Sequence, residues 1–397
     1  VTSPIDLGTR ALSSLPAPSV APHPKGFVRR HAGKLVASAV ITVFIVYTIH
    51  KGGMKFLPSA ADFRGVRWWT VPLYLVTFAG MTWFRSVRWR FLLRSMAEVP
   101  KARLLAVSCV GFAAIQILPF RLGEIVRPYM IRTKPSERRG GARAITMTAA
   151  TSSVVAERIV DGLYLSIVLA LALVFVPTVH PLPDHVVGLP ITVAQVRWSG
   201  FAMLGLFGVA FTTIAVFYGA RSWAHRATLV VFGKVSRRLA EKLAGMAEKL
   251  ADGLHVFGRG KDALGFFLET SAYWFCNAAG MWMLAWGCGV LHADATTPTF
   301  GEALGLMGML GCTILIPGPP GMLGVFQAGI YAGMTMYYPE NVVLSAGAAY
   351  VFTIYVLQVL FQVLFGVAGL WYVGGGGGLR GGFQQLEAAE GAVVPGP

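Results

Sequence analysis

Six ionisable residues stand in stretches too apolar to carry charge without a purpose. Arg121, Glu124 and Arg127 fall in LPFRLGEIVRP, and Glu157, Arg158 and Asp161 in AERIVDGLYL. Glu124 and Arg127 are three apart and Glu157 and Asp161 four apart, so each pair shares one face of a helix. An ionised side chain at membrane depth costs roughly 2.5–3.5 kcal/mol on insertion scales, so these groups must pair or line a wet cavity. Three arginines against three carboxylates can balance as a purely structural network. The other chemistry open to them is anion recognition, because the planar guanidinium fork grips a phosphate in two places while neighbouring carboxylates orient it. Farther on, Glu269 stands beside Tyr273 and Trp274 as either a protonatable coupling group or an interfacial residue. Gln327, Gln358 and Gln362 add neutral polar groups.

The setting excludes most other chemistry. Of 397 residues 55% are apolar and 13% charged, the composition of a membrane protein. The net charge of +16 would point a soluble protein toward nucleic acid, but here it sits in blocks between apolar runs, which is how a multi-span chain fixes its orientation. No nucleic-acid partner is expected. The four cysteines form no Cys-x-x-Cys pair, and the eight histidines have no metal-ligand spacing. A phosphate-binding loop and a Gly-x-Ser-x-Gly elbow are absent as well. No metal and no cofactor are expected.

The elements that must position the charged groups follow from the apolar pattern. Residues 1–30 read as a disordered, basic N-terminal arm, 31–373 as the membrane domain and 374–397 as a flexible, Gly-rich tail. Continuous spans are expected near 35–50, 68–84, 155–177, 199–220, 266–290 and 343–372. Two further apolar segments, 104–132 and 304–337, are broken by LPFRLGE and IPGPPGM. A full crossing at 104–120 would put two basic blocks on opposite faces, so each broken segment reads as a re-entrant hairpin. That topology places 28 of the 34 Lys and Arg on the cytoplasmic side, with both termini there. A helix over 144–177 would run about 51 Å against a hydrocarbon core of about 30 Å, setting Glu157, Arg158 and Asp161 in the inner leaflet. Residues 222–256 read as an amphipathic helix on the cytoplasmic surface. Trp68, Trp69, Trp83, Trp282 and Trp286 read as interface anchors.

The two breaks also repeat. An offset of 198 lays Pro119 on Pro317 and Gly123 on Gly321, residues 68–84 on 266–290, and 145–177 on 343–375. The halves, 31–177 and 199–373, then have opposite orientation. The fold class expected is an all-α polytopic membrane protein, with about six transmembrane helices and two re-entrant broken helices in an inverted repeat. Paired broken helices in inverted halves mark a transport site near the midplane. Half-helices returning from near 123 and 321 would aim their electropositive ends at it.

On LPFRLGEIVRPYMI, ERIVDGLYL and PGMLGVFQAGI the chain resembles, over about residues 30–375, the flippase-like transmembrane family of bacterial lysylphosphatidylglycerol synthases. The resemblance implies Arg121, Gly123, Glu124, Arg127, Glu157, Arg158, Asp161, Pro320, Gly321 and Gly324 as site positions. Two departures stand out. Met322 and Gln327 take places where the family commonly has Gly and Glu, so no proton-coupling carboxylate carries over to 327. After residue 373 the sequence holds no soluble aminoacyl-transferase domain, so the resemblance implies the translocating half alone.

The function expected is an inner-membrane translocase for an anionic phospholipid or a polyprenyl-phosphate-linked substrate, with a multi-pass chain in the bacterial plasma membrane. Gln327 joins the ten positions above as a candidate contact. The alternatives are an integral-membrane transferase acting on a lipid, with Glu124, Glu157 or Asp161 as general base, and a membrane subunit that recruits a partner through 222–256. Homo-oligomerisation is compatible with all three.

Overall fold

The computed structural model describes residues 55–94, 96–117, 123–132, 144–187, 189, 191–233, 236–238, 240–242, 244–245, 248, 260–314 and 319–393, with single positions 40, 43 and 47. The statements that follow concern those residues. In chain order they form α1 (Thr70–Val87), α2 (Trp89–Leu93), α3 (Lys101–Ile117), α4 (Gly123–Ile131), α5 (Met147–Phe175), α6 (Val193–Gly219) and α7 (Arg221–Gly233). Then come α8 (Gly260–Gly287), α9 (Phe300–Ile314), a 3-10 turn at Pro320–Met322, α10 (Val325–Tyr337), α11 (Glu340–Val343), α12 (Ala346–Gly374), a second 3-10 turn at Gly375–Gly377, and α13 (Gly378–Val393). The span expected at 35–50 and the N-terminal arm lie outside the described residues, apart from the helical positions 40, 43 and 47.

The long helices start where the sequence supplies a side-chain acceptor for their orphan N–H groups. Thr146 accepts from the Ala149 N–H at the head of α5, and Thr192 and Gln195 form a capping box on α6. Three helical stretches are long and apolar enough to cross a membrane: Met147–Phe175, Val193–Gly219 and the run Glu340–Leu386 that contains α12. At 29 and 27 residues, α5 and α6 measure about 40 Å, more than a hydrocarbon core. Their exposed side chains, such as Val174 and Phe175 on α5, Leu206 and Val209 on α6, and Leu364 on α12, are ones that lipid solvates at no cost. α1 and α8 are less apolar because they carry polar groups to the interior. The chain is an all-α polytopic membrane protein.

Both broken segments fold back on themselves. A Cβ at Gly123 would collide with the backbone of Ala114 and Ile115, and one at Gly111 with the stem of Arg127, so α3 and α4 run antiparallel in close contact. Gly329 stands against Leu310 and Thr313, Gly333 against Leu306, and Gly305 against Tyr337, so α9 and α10 do the same. The tips, 118–122 and 315–318, with Pro119, Arg121 and Pro317, lie outside the described residues.

The offset of 198 carries α1 onto α8, α3 onto α9 and α5 onto α12. Gly280 faces Tyr74 and Thr77 while Gly287 faces Thr70, so α1 and its mate α8 pack antiparallel, as inverted halves require. Across the interface the hairpins exchange partners. α3 packs on α12, with Gly366 against Ala113 and Gly369 against Ala106 and Val110; α9 packs on α5, with Gly308 against Leu169 and Gly311 against Leu165.

Three expectations change. α10 begins at Val325, one turn beyond 321, because Gly321, Met322 and Gly324 have φ of 68°, 54° and 88° and cannot continue a right-handed helix. The stretch expected to be a flexible tail instead contains α13, which returns along α12 because Gly381 and Gly382 let its backbone approach Gly374 and Leu370. The amphipathic stretch begins as α7 at Arg221, and its helical positions resume between 237 and 248.

Candidate functional site

The charged residues meet below α1. At the α1–α2 junction Arg88 is fully buried, and its guanidinium donates to Glu157 at 2.8 Å, Asp161 at 2.7 Å and the Thr270 hydroxyl at 2.9 Å, joining α5 and α8. Arg127, from α4, reaches the other Glu157 oxygen at 3.3 Å. Arg158 closes the set at 3.2 Å from Glu157 and 3.5 Å from Asp161. Glu157, with no exposure of its own, thus faces three guanidinium groups. Aromatic rings line the cluster: Arg127 lies 4.5 Å over Trp89 and 5.3 Å from Phe112, Arg85 lies 4.3 Å over Phe112, and Arg88 lies 4.7 Å over Tyr273. Trp89 is itself fixed by a 2.9 Å bond from its indole N–H to Ser153.

Beside this cluster lies a cavity of about 310 Å³ between the two hairpins, the size of a small-ligand pocket. Its lining carries the charged groups Arg85, Glu124, Arg158 and Asp161 and the neutral polar groups Gln116, Asn277, Tyr355, Gln358 and Gln362, with Gly321 and Trp274. Taken with the buried cluster, the site holds Arg85, Arg88, Arg127 and Arg158 against Glu124, Glu157 and Asp161. Among the described residues the balance is one positive charge in excess. The Nε–H groups of Arg85 and Arg158 are buried without a partner, and so is Asp161 Oδ1. No group of three or more His, Cys, Asp or Glu side chains able to hold a metal comes together among the described residues.

Residues 34–366 match the family model described as the lysylphosphatidylglycerol synthase TM region. The chain belongs to this family. No curated protein and no solved structure matches the chain significantly. Membership in the lysylphosphatidylglycerol synthase TM family makes it a membrane protein of lipid modification or translocation.

Of the positions that the resemblance to this family singled out, the structure brings together Glu124, Arg127, Glu157, Arg158 and Asp161, with Gly321 lining the same cavity. Gly321 needs its lack of a side chain twice over, for a φ of 68° and for its closeness to the Tyr355 hydroxyl, which donates to the Gly321 carbonyl at 3.1 Å. Gly123, Pro320, Gly324 and Gln327 are not on the cavity wall. Gln327 Oε1 accepts from the Gly324 N–H at 2.6 Å and so closes the first turn of α10. Arg121 lies outside the described residues. Glu269 forms a 2.5 Å ion pair with Arg90, and Asp262 one of 2.9 Å with Arg94. Arg85 and Arg88 were missed by the sequence reading, which counted both among the interfacial positive charges.

Proposed function

We propose that the chain moves a phosphate-bearing lipid or lipid-linked carrier between the leaflets of the bacterial inner membrane, with both termini on the cytoplasmic side. The observation that carries this reading is the excess arginine, among the described residues, beside a cavity between two inverted hairpins. A buried positive charge without a counterion is costly, and a phosphodiester brings one negative charge to it. Arg85 and Arg158 bind the phosphate, each offering one buried, unsatisfied Nε–H donor. Glu157 and Asp161 hold Arg88, Arg127 and Arg158 in place rather than touching the lipid. The acyl or prenyl tail stays in the bilayer, and the hairpins expose the cavity to each face in turn.

The transferase alternative is weaker on the same geometry. Glu157 faces three guanidinium groups and Asp161 two, so neither is available as a base. Reconstitution of the purified chain into vesicles carrying a head-labelled anionic phospholipid tests the proposal. Labelled lipid is expected to exchange between leaflets without any new covalent product, and Arg85→Ala and Arg158→Ala are each expected to abolish the exchange. Empty vesicles that exchange as fast, or variants that match the parent, overturn it; a new lipid product revives the transferase.

A further inference from the structure

Outside the ionic site, α7 presents a face that the described residues leave uncovered. It starts at Arg221, directly after Ala220, whose φ of −135° ends the long apolar α6, so it begins at the level where a span leaves the hydrocarbon. Its inner side is seated on the protein. Ala224 is buried in one apolar cluster with Ile214 and Phe217 of α6, Ala156 of α5 and Ala244. His225 reaches the Glu248 carboxylate at 3.0 Å, and Arg221 lies 3.6 Å from it. On the outer side Trp223, Val230 and Val231 are 66%, 64% and 61% exposed, and Arg226 is exposed among them. Positions 223, 226 and 230 are three and four apart, so they make one stripe along the helix.

The charge around this stripe is one-sided. Residues 221–249 hold seven Lys and Arg against two Glu. Glu248 is turned inward to His225 and Arg221, and Glu241 lies 3.3 Å from Arg237, while Arg226, Arg238 and Lys242 are exposed. A partner that fits this charge is anionic. An acidic chain held by charge alone would leave Trp223, Val230 and Val231 in water. A phospholipid leaflet accepts both kinds of group at once, taking the apolar side chains at the headgroup–acyl boundary and setting the guanidinium beside phosphates. Because α7 follows α6 without a linker, the leaflet is also the surface that it meets first.

We infer that α7 lies in the plane of the leaflet at that end of α6 and docks the stripe of Trp223, Arg226 and Val230 on anionic phospholipid. Trp223 anchors the helix at headgroup depth, Val230 and Val231 enter just below, and Arg226 with its basic neighbours selects for negative lipid. The inference does not rest on translocation.

Site-directed labelling of the full chain tests it. With the four native cysteines replaced by alanine, a bimane label is placed at Val230→Cys or, as reference, at Val209→Cys on the exposed side of α6. Quenching by a nitroxide phospholipid at 230, relative to 209, then gives the docked-to-free ratio of the stripe. That ratio is expected to be at least about fivefold higher in vesicles of equal phosphatidylcholine and phosphatidylglycerol than in phosphatidylcholine alone, the share of one basic residue near an anionic surface. In 1 M NaCl, where screening acts within about 3 Å, the difference between the two vesicles is expected to vanish. Arg226→Glu is expected to lower the ratio in the anionic vesicles at least about fivefold, and Arg226→Lys to preserve it. Equal quenching at 230 in both vesicles, or Arg226→Glu matching the parent, overturns the inference in favour of apolar contact alone. Quenching at 209 with none at 230 overturns it in favour of a stripe facing water or another protein. Lipid exchange can be present or absent without moving either readout.

Discussion

Arg88 has no water to turn to if its partners are removed, nor have its partners if it is removed. Truncating one side of a buried ion pair costs about 3–5 kcal/mol, because a charge is left behind uncompensated. Arg88→Ala is therefore expected to lower stability by that order, as read by thermal unfolding in detergent. Asp161→Ala is expected to be costly too. The double variant should be well short of the sum, since the second truncation removes the charge that the first one stranded; strict additivity would show the two side chains to be uncoupled. Gly111 offers a second test at this scale. A methyl group there runs into the Cγ of Arg127, so Gly111→Ala is expected to push Arg127 off Glu157 and to reduce exchange as Arg127→Ala does. Gly205→Ala, on α6 with open space around it, is expected to leave exchange intact and to stabilise by about 0.5–1 kcal/mol. Glu124, Arg127, Glu157, Arg158 and Asp161 were legible in the sequence because isolated charges in apolar runs are conspicuous. Arg85 and Arg88 were not, since they close an apolar helix next to Arg90 and Arg94, where a positive block marks an interface equally well. Their signal was the interleaving of aromatic residues, Trp83, Phe84, Trp89 and Phe91, which supplies rings for buried guanidinium groups to lie on.

Among the elements, the second hairpin is pinned at its open end by a single carboxylate. Glu302, in the first turn of α9, accepts from the Thr299 N–H at 3.1 Å and from the Tyr338 hydroxyl at 2.6 Å, and lies 2.9 Å from His292 Nε2; Thr299 Oγ1 returns a bond from the Glu302 N–H at 3.3 Å. This capping box joins α9 to the end of α10. Glu302→Ala is expected to cost about 2 kcal/mol and to speed hydrogen exchange in Phe300–Ile314; protection equal to the parent's would show that the hairpin is held elsewhere. At the opposite surface Glu248 is hydrogen-bonded by His225 at 3.0 Å, with Arg221 at 3.6 Å. The bond from His225, followed by that from Arg221, holds the Glu248 carboxyl below its ordinary value. A carboxylate lowered in this way contributes its stability above its unfolded pKa and loses it as pH falls through the folded one. α7 is thus expected to stay docked at neutral pH and to gain hydrogen exchange only when pH drops below about 4.5, whereas Glu248→Gln loosens it at neutral pH. The hairpins could be read from the sequence because proline and glycine recur together as Pro-x-x-x-Gly in both apolar segments, whereas a lone proline is tolerated, as Pro128 is inside α4. The start of α10 could not, since three left-handed φ values within four residues are a tertiary outcome, and Met322 among them is not a residue that announces one.

At the scale of the whole molecule the two halves share a scaffold and divide the chemistry. The offset that superposes the helices carries Glu157 onto Tyr355 and Asp161 onto Val359, and it brings Arg85 and Arg88 to Met283 and Trp286. The ionic side chains of α5 and the neutral polar side chains of α12 are therefore related by the pseudo-symmetry, one half carrying charge and the other neutral polarity. The architecture was legible because a repeat in hydropathy survives such divergence, while the polar side chains that α5 and α12 bring to the cavity do not repeat and had to be read from the fold. A symmetric scaffold also implies a second arrangement in which α3–α4 and α9–α10 exchange their roles at the two faces. Asn277 sits on the cavity wall between the hairpins and can report it. In a chain whose four native cysteines are replaced by alanine, Asn277→Cys is expected to react with a membrane-impermeant thiol reagent added to either side of the vesicle, and a saturating anionic phospholipid is expected to slow both reactions. Labelling confined to one side, with and without lipid, would mean that the hairpins do not alternate. The cavity would then be a fixed binding site on one leaflet rather than a route between two.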